Sequence, residues 1–387
     1  MVDDLAHVQQ CGIKSTEDNA YIVAKFEQDK LELNSGKCHK MHVGKECLTC
    51  PKLKAHSVTM GETKEEKYLG DLISANGKHT VNVKNRANKC IGLTADLVNL
   101  LKLLSLGHYH FQTAVLLRQA MLISVMLLSS GCWLRLSQKD IDTLEKVDLM
   151  YLRKVAEIGT KCPIPAIYLE YGCIPVRFLI KEKRILFLHY ILNCERTELV
   201  SQVLWAQILK PVKNDWCNVV EEDLQQVGLG SLTIEDFQTF SKNKMKKLVK
   251  EAVKDSAFKY LMNNKEAKSK MKDLQYSELK MQEYLSVQNI SNRHKKLAFK
   301  IRSNMLPMLN NLGQKVICVV CQEPDSEDNQ KHALLNCDGI KRLVPDIANN
   351  TQCSYMNIFS DDVNDIKKTV ELCDKSIRKR QQILENL

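Results

Sequence analysis

Four residues in the last quarter of the sequence have the types and spacing of a metal-binding set. Cys318 and Cys321 are followed by His332 and Cys337, a C-x2-C-x10-H-x4-C pattern. Thiolate sulfur and imidazole nitrogen are ligands that Zn²⁺ favours, and four of them close a tetrahedron with no open position, which makes a structural site rather than a catalytic one. The spacing places the first pair in a tight knuckle, with His332 and Cys337 about one turn apart on a short helix. At the other end of the sequence, Met1-Val2-Asp3-Asp4-Leu5 sets two carboxylates side by side ahead of an apolar stretch. Carboxylate oxygens are what a hard cation such as Mg²⁺ takes as ligands. Carboxylates that hold two such ions about 4 Å apart stabilise the attacking and leaving oxygens of an in-line phosphoryl transfer.

A third feature is electrostatic. The sequence of 387 residues carries a formal net charge of +10, and the stretch from Lys242 to Arg302 alone holds 17 Lys and Arg against 6 Asp and Glu. The remainder is therefore close to neutral, and one basic stretch on a neutral body points to a polyanionic partner. Within it, Lys246, Lys247, Lys250 and Lys254 recur at near-helical spacing and form one basic stripe, and Arg302 closes the stretch. Tyr276 and Tyr284 have rings that can stack on bases, although a buried role is the commoner fate of a tyrosine.

The elements that must position these groups are mostly helices. The first 80 residues mix short strands with one helix. Leu5 to Val8 and Lys40 to Val43 read as strands, and Ser15 to Asp18 offers a capping box to a helix with Ile22, Val23 and Phe26 on its apolar side. Tyr68 to Ile73 reads as another strand, with Asn76-Gly77 as a hairpin turn after it. Beyond Val83 the period turns helical. Leu93, Leu97, Leu100 and Leu104 share a face, with Gly107 as a stop, and Phe111 to Ser129 comes next as a second helix. Ser137 to Asp140 caps a third helix that buries Ile141, Leu144, Val147 and Tyr151. Pro163 and Pro165 break the pattern before an apolar helix from Pro175 to Leu192, and Gly228 and Gly230 mark a weaker boundary ahead of the basic helices. A loop-rich segment carries the Cys/His set after Pro307, and a last amphipathic helix bears Ile366, Val370, Ile377 and Ile383.

The order of several strings resembles the reverse transcriptase of non-LTR retrotransposons. Asp3-Asp4, then Leu31-Glu32-Leu33-Asn34, Lys37-Cys38-His39-Lys40 and Lys67-Tyr68-Leu69-Gly70-Asp71 are similar to the later part of that family's palm. Leu117-Arg118-Gln119-Ala120, Tyr168-Leu169-Glu170-Tyr171-Gly172, Pro175-Val176-Arg177, Asp215-Trp216 and Glu222-Asp223-Leu224 look like its helical thumb. The segment from Arg302 to Pro307, the Cys/His set and Arg342 resemble the segment that comes after the thumb and is linked to nucleic-acid binding and target-site integration.

The resemblance implies a mainly α chain, α+β overall. It has a partial palm over residues 1–80, a helical thumb and connection over 81–240, a basic helical segment over 241–310, a CCHC zinc module over 311–345 and a helical tail over 346–387. It also implies that Asp3 is a shared Mg²⁺ ligand with Asp4 beside it, and that RNA and DNA are the partners, gripped through the backbone rather than read by base. The family's other palm Asp and its fingers have no counterpart in the sequence, so the chain by itself is expected not to polymerise DNA. Cys47 and Cys50, with Cys38, His42 and His56 nearby, have enough ligands for a second ion, but they also look like ordinary family sequence joining two palm strands, and no metal is expected there.

Three readings stay open at this stage: a retroelement fragment that binds nucleic acid without catalysis, the tail of a longer active enzyme, and a zinc-containing nucleic-acid-binding protein with a non-enzymatic host role. The sequence lacks a G-x-S-x-G elbow and a phosphate-binding glycine loop. The opening residues are acidic rather than basic-then-apolar, and the longest apolar run, Gln119 to Leu134, falls short of the ~20 residues a spanning helix needs. With 15 cysteines in no secretory context, reduced thiols in the nucleus or cytoplasm are expected.

Overall fold

A computed structural model describes residues 24, 25, 28, 39–43, 54–55, 58–59, 61–266, 271, 274–306, 316–324, 326–350 and 352–385. Asp3, Asp4, the stretches expected to form the first strand and helix, and most of the second Cys/His group lie outside the described residues. The described chain is mainly helical. Among its residues, no helix is long and apolar enough to cross a membrane.

The strands are short. β1 (His39–Lys40) pairs in parallel with β4 (Gly61–Glu62), and β2 (Lys54–Ala55) pairs with β3 (Val58–Thr59). The expected strand from Tyr68 to Ile73 is instead a hairpin of β5 (Glu65–Tyr68) and β6 (Asp71–Ser74). Its two turn residues, Leu69 and Gly70, both have positive φ, at 46° and 86°. Consecutive left-handed residues match the twist of a tight hairpin, so the turn falls at Leu69-Gly70 rather than after it. Asn76-Gly77 turns the chain into the first helix.

α1 (Thr80–Leu103) buries Val83, Ala87, Cys90, Thr94, Leu97, Val98 and Leu101. Leu100 and Leu104 of the expected stripe face outward, and the helix ends before Gly107. The second helix is interrupted: α2 (His110–Leu117) runs through a π-helical segment (Arg118–Ile123) into α3 (Ser124–Met126). α4 (Gln138–Ala156) starts as expected, with the Ser137 hydroxyl accepting from the Asp140 amide at 3.2 Å and the Asp140 carboxylate accepting from the Ser137 amide at 3.3 Å. Leu144, Val147 and Tyr151 are buried and Ile141 is half-buried.

Pro163 and Pro165 open a helix rather than only breaking the pattern. α5 (Ile164–Tyr171) has Pro165 in its first turn, where a missing N–H costs nothing, and every residue from Pro165 to Tyr171 is buried. It stops at Gly172, whose φ is +64° and whose added Cβ would lie 2.1 Å from the Met281 nitrogen. That close approach lets the Gln282 amide donate to the Glu170 carbonyl at 3.0 Å. The next helices are α6 (Val176–Leu192), α7 (Leu199–Leu209), α8 (Trp216–Gln226), α9 (Ile234–Thr239), α10 (Lys242–Glu266), α11 (Glu283–Ser286) and α12 (Asn292–Arg302). After the Cys/His loop come α13 (Asp338–Leu343), α14 (Pro345–Asn349) and α15 (Val363–Glu385). One continuous hydrophobic core runs from Val83 to Cys373, so the loop bearing Gly228 and Gly230 joins helices that share that core.

Two buried polar knots lie inside it, both reached from α5. Arg118 donates to both oxygens of Asp148 at 2.6 and 2.8 Å, and the Tyr168 hydroxyl donates to Asp148 at 3.0 Å. Glu170, with no exposed surface, accepts from Arg302 at 2.9 Å and from the Tyr276 and Tyr284 hydroxyls at 2.7 Å each. Neither tyrosine ring is therefore presented for base stacking. Removing one partner of a buried pair strands the other charge, which costs about 3–5 kcal/mol, whereas losing one hydroxyl donor costs about 1 kcal/mol. Glu170→Ala should accordingly lower the unfolding free energy in urea several-fold more than Tyr276→Phe; equal effects would contradict a central role for the carboxylate.

Candidate metal centre and basic face

The Cys/His loop folds locally in the way the ligand spacing requires. Ile317 bridges Glu327 across an antiparallel turn, the Cys318 amide donates to the Ser326 carbonyl at 2.8 Å, and the Asp328 amide donates to the Val316 carbonyl at 2.8 Å. Gln322, at φ 55°, closes the knuckle and sends its amide back to the Cys318 carbonyl at 2.8 Å. The Asn329 side chain then accepts from the His332 amide at 2.9 Å and starts the next turn. That turn is π-helical (His332–Asn336), and Cys337 is the extended residue between it and α13. His332 and Cys337 thus stand about one turn apart, as the spacing predicts. Gly339 lets α13 lie on the knuckle, since a Cβ there would meet Val320 at 3.0 Å.

These turns converge the four side chains. One ligand atom from each of Cys318, Cys321, His332 and Cys337 falls within 4.8 Å of all the others. The Cys318 and Cys337 sulfurs are 3.8 Å apart, and the Cys321 sulfur is 3.4 Å from His332 Nε2. Metal–sulfur bonds of ~2.3 Å and metal–nitrogen bonds of ~2.0–2.1 Å in a tetrahedron put two sulfurs ~3.8 Å apart and a sulfur and nitrogen ~3.6 Å apart. The cluster therefore has the dimensions to hold a metal ion.

The thiols differ in how readily they ionise. Burial drives the Cys337 thiol up to about 12. At Cys321 burial also opposes ionisation, but hydrogen bonds at the Ser326 hydroxyl and the Glu323 backbone outweigh it and hold the thiol below its ordinary value. A metal ion must displace the Cys337 proton to bind, so protons compete with it.

The basic stretch divides into an outer and an inner part. On α10, Met245, Val249, Val253, Ala257 and Leu261 form the buried stripe, packed against α5 and α6. Lys246, Lys247 and Lys250 stand exposed on the other side with Lys242 and Lys244. Lys254 is half-buried and paired with Glu278 at 3.3 Å. The sequence reading missed Lys183 of α6, which is also exposed; with Lys246 and Lys250 it lowers the ionisation of Glu182, against the larger, opposing effect of burial. Its signal lay in Lys181-Glu182-Lys183, polar positions in a helix noted only for its apolar residues.

Arg302 does not belong to this face. Its side chain is 3% exposed, bonded to Glu170 and to the Ile358 carbonyl at 2.7 Å. Lys295, also in the basic stretch, is fully buried and donates to the His108 and Leu285 carbonyls at 2.8 and 2.9 Å. Arg302 was assigned to nucleic-acid contact from its place in the charge run, and the structure corrects that to a core role.

The purified chain should bind one divalent metal at this centre, and Cys318→Ser should abolish binding while Cys353→Ser leaves it intact. Retention against a fixed chelator should fall as pH is lowered, because the thiolates are reprotonated. Metal analysis with equal content in all three proteins would rule the cluster out. No known protein family, curated protein or solved structure matches the chain.

Proposed function

We propose that the chain binds nucleic acid through its phosphate backbone, as the thumb and Cys/His portion of an RNA-directed DNA polymerase of a non-LTR retroelement. The observation that carries this reading is the outer face of α10. Lys246, Lys247 and Lys250 project together from a helix whose opposite side is locked into the core, and Lys183 adds a fourth charge from α6. A rigid row of ammonium groups suits the regular spacing of phosphates along a duplex and carries no base information. The order of strings shared with non-LTR reverse transcriptases assigns the duplex to template and primer.

The metal centre in this reading holds Zn²⁺. Three thiolates and an imidazole are too soft a set for Mg²⁺ or Ca²⁺ and suit zinc. With all four positions supplied by the protein, the ion would fix the loop from Cys318 to Cys337 and take no part in chemistry.

Binding to an RNA–DNA hybrid and to double-stranded DNA, measured by fluorescence anisotropy across a salt series, tests the proposal. Affinity should fall steeply and linearly on a log–log plot, with little dependence on sequence. The triple variant Lys246→Ala, Lys247→Ala, Lys250→Ala should flatten the slope by about 2–3 and bind more weakly on every duplex. Exposed substitutions of this kind change stability by within about 0.5 kcal/mol, so the fold is expected to persist. Salt-insensitive binding, or an unchanged slope in the variant, would refute the assignment of this face.

A further inference from the structure

We propose that Arg380, on the C-terminal helix α15, is a positioning residue of the metal centre: it donates to the Cys318 sulfur and clamps the loop between the two ligand pairs through Asp328. This inference rests on the reading of Cys318, Cys321, His332 and Cys337 as a metal site.

Arg380 Nη1 lies 3.8 Å from Cys318 Sγ, within range of an N–H···S hydrogen bond, and Nη2 donates to Asp328 Oδ1 at 2.5 Å. All three residues are inside: Cys318 and Asp328 have no exposed surface and Arg380 retains 6%. Asp328 sits in the chain between Cys321 and His332, so a group that fixes it fixes how the knuckle and the imidazole face each other. The same helix holds the other half of the site through the Ser376 hydroxyl, which donates to the Ala333 carbonyl at 3.0 Å. α15 thus touches the knuckle, the connecting loop and the π-helical turn, although it supplies no ligand.

Charge gives the arrangement its direction. A divalent ion with three thiolates leaves a net charge of −1 among buried groups, a state that is costly without a nearby cation. A guanidinium keeps its charge at every accessible pH and has enough planar donors to serve a sulfur and a carboxylate together. Donation to a ligand sulfur also draws electron density from it. Removing such an outer partner typically costs 10–100-fold in metal affinity.

Cobalt(II) separates this role from that of an ordinary buried ion pair, because sulfur-to-cobalt charge transfer reports on the ligand sulfurs. The full chain would be titrated with Co²⁺ alone as wild type, Arg380→Ala, Arg380→Lys and, as a control on the same helix, Lys375→Ala. The wild type and K375A should give the same tetrahedral cobalt spectrum and affinity. R380A should bind 10–100-fold more weakly with a shifted charge-transfer band. R380K keeps the charge and can pair with Asp328 but loses the fork, and should fold with a shifted band and intermediate affinity. Should R380A be unfolded by circular dichroism, the band in R380K decides. Wild-type affinity and an unshifted band in the folded variants would reduce Arg380 to an ion pair and overturn the proposal. A wild-type chain that binds no cobalt would instead remove the metal site itself.

Discussion

A carboxylate with no access to water has to be satisfied by its neighbours, and Glu170 imposes that requirement on much of the chain. Its oxygens take hydrogen bonds from Arg302, Tyr276 and Tyr284, and its own carbonyl accepts from Gln282. Those donors come from segments more than a hundred residues further along the sequence. α5 is short, but Tyr168 reaches Asp148 and Arg118 and the Tyr171 hydroxyl reaches the Leu152 carbonyl at 2.9 Å, so it ties the earlier helices to the later ones. An apolar helix in this position would be buried equally well, but it would not dictate which partners surround it. Directional bonds to charged groups do, because an unsatisfied one costs far more than a misplaced methyl group.

The same economy governs the other interior arginines. Arg184 is held by Asp223 at 3.0 Å and by the Trp133 and Leu134 carbonyls, and Arg118 adds the Ile174 carbonyl to its bond with Asp148. Each guanidinium meets one carboxylate and at least one carbonyl, a pattern that its planar fork can satisfy and a lysine cannot. The exposed cations of α10 are lysines, which keep their strongly hydrated ends in water. The split between the two residue types therefore tracks the boundary between interior and surface.

That boundary is where the sequence reading stopped. The capping box at Ser137 and the Cys/His set were legible because each depends on residues close in the chain and on side-chain chemistry with few alternatives. Helical content was legible from period alone. The hairpin at Leu69-Gly70 was not, because Leu at positive φ is rare and Asn76-Gly77 offers the stronger turn signal nearby. The π-helical segment at Arg118 was hidden as well, since an extra residue in a turn leaves the apolar pattern nearly unchanged while rotating the remainder of the helix. Arg302 and Lys295 were counted as surface charge because a composition window cannot see that Glu170, far away in sequence, waits for one and two backbone carbonyls for the other. The strings Leu117-Arg118-Gln119-Ala120 and Tyr168-Leu169-Glu170-Tyr171-Gly172 were noted only for their order. The structure gives their residues a physical role as the two polar knots and the glycine on which Met281 rests.

The basic face and the metal centre are linked by one packed path. α10 lies on α5, and Glu170 of α5 holds Arg302 at the end of α12. Arg302 in turn donates to the Ile358 carbonyl, and Gln330 spans from the Ile301 carbonyl to the Tyr355 hydroxyl two residues before His332 begins the π-helical turn. Each step is a short bond between buried groups, and none offers a second arrangement of comparable energy, which a switch would require. What such a path does supply is fixed separation. Contacts to a phosphate backbone confer no register by themselves, so two such surfaces can act on one duplex only if the protein between them is stiff. The cost of burying these arginines and carboxylates is then explained by placement: it holds the lysine row and the Cys/His module at a set distance, which an oily core of the same size would leave loosely defined.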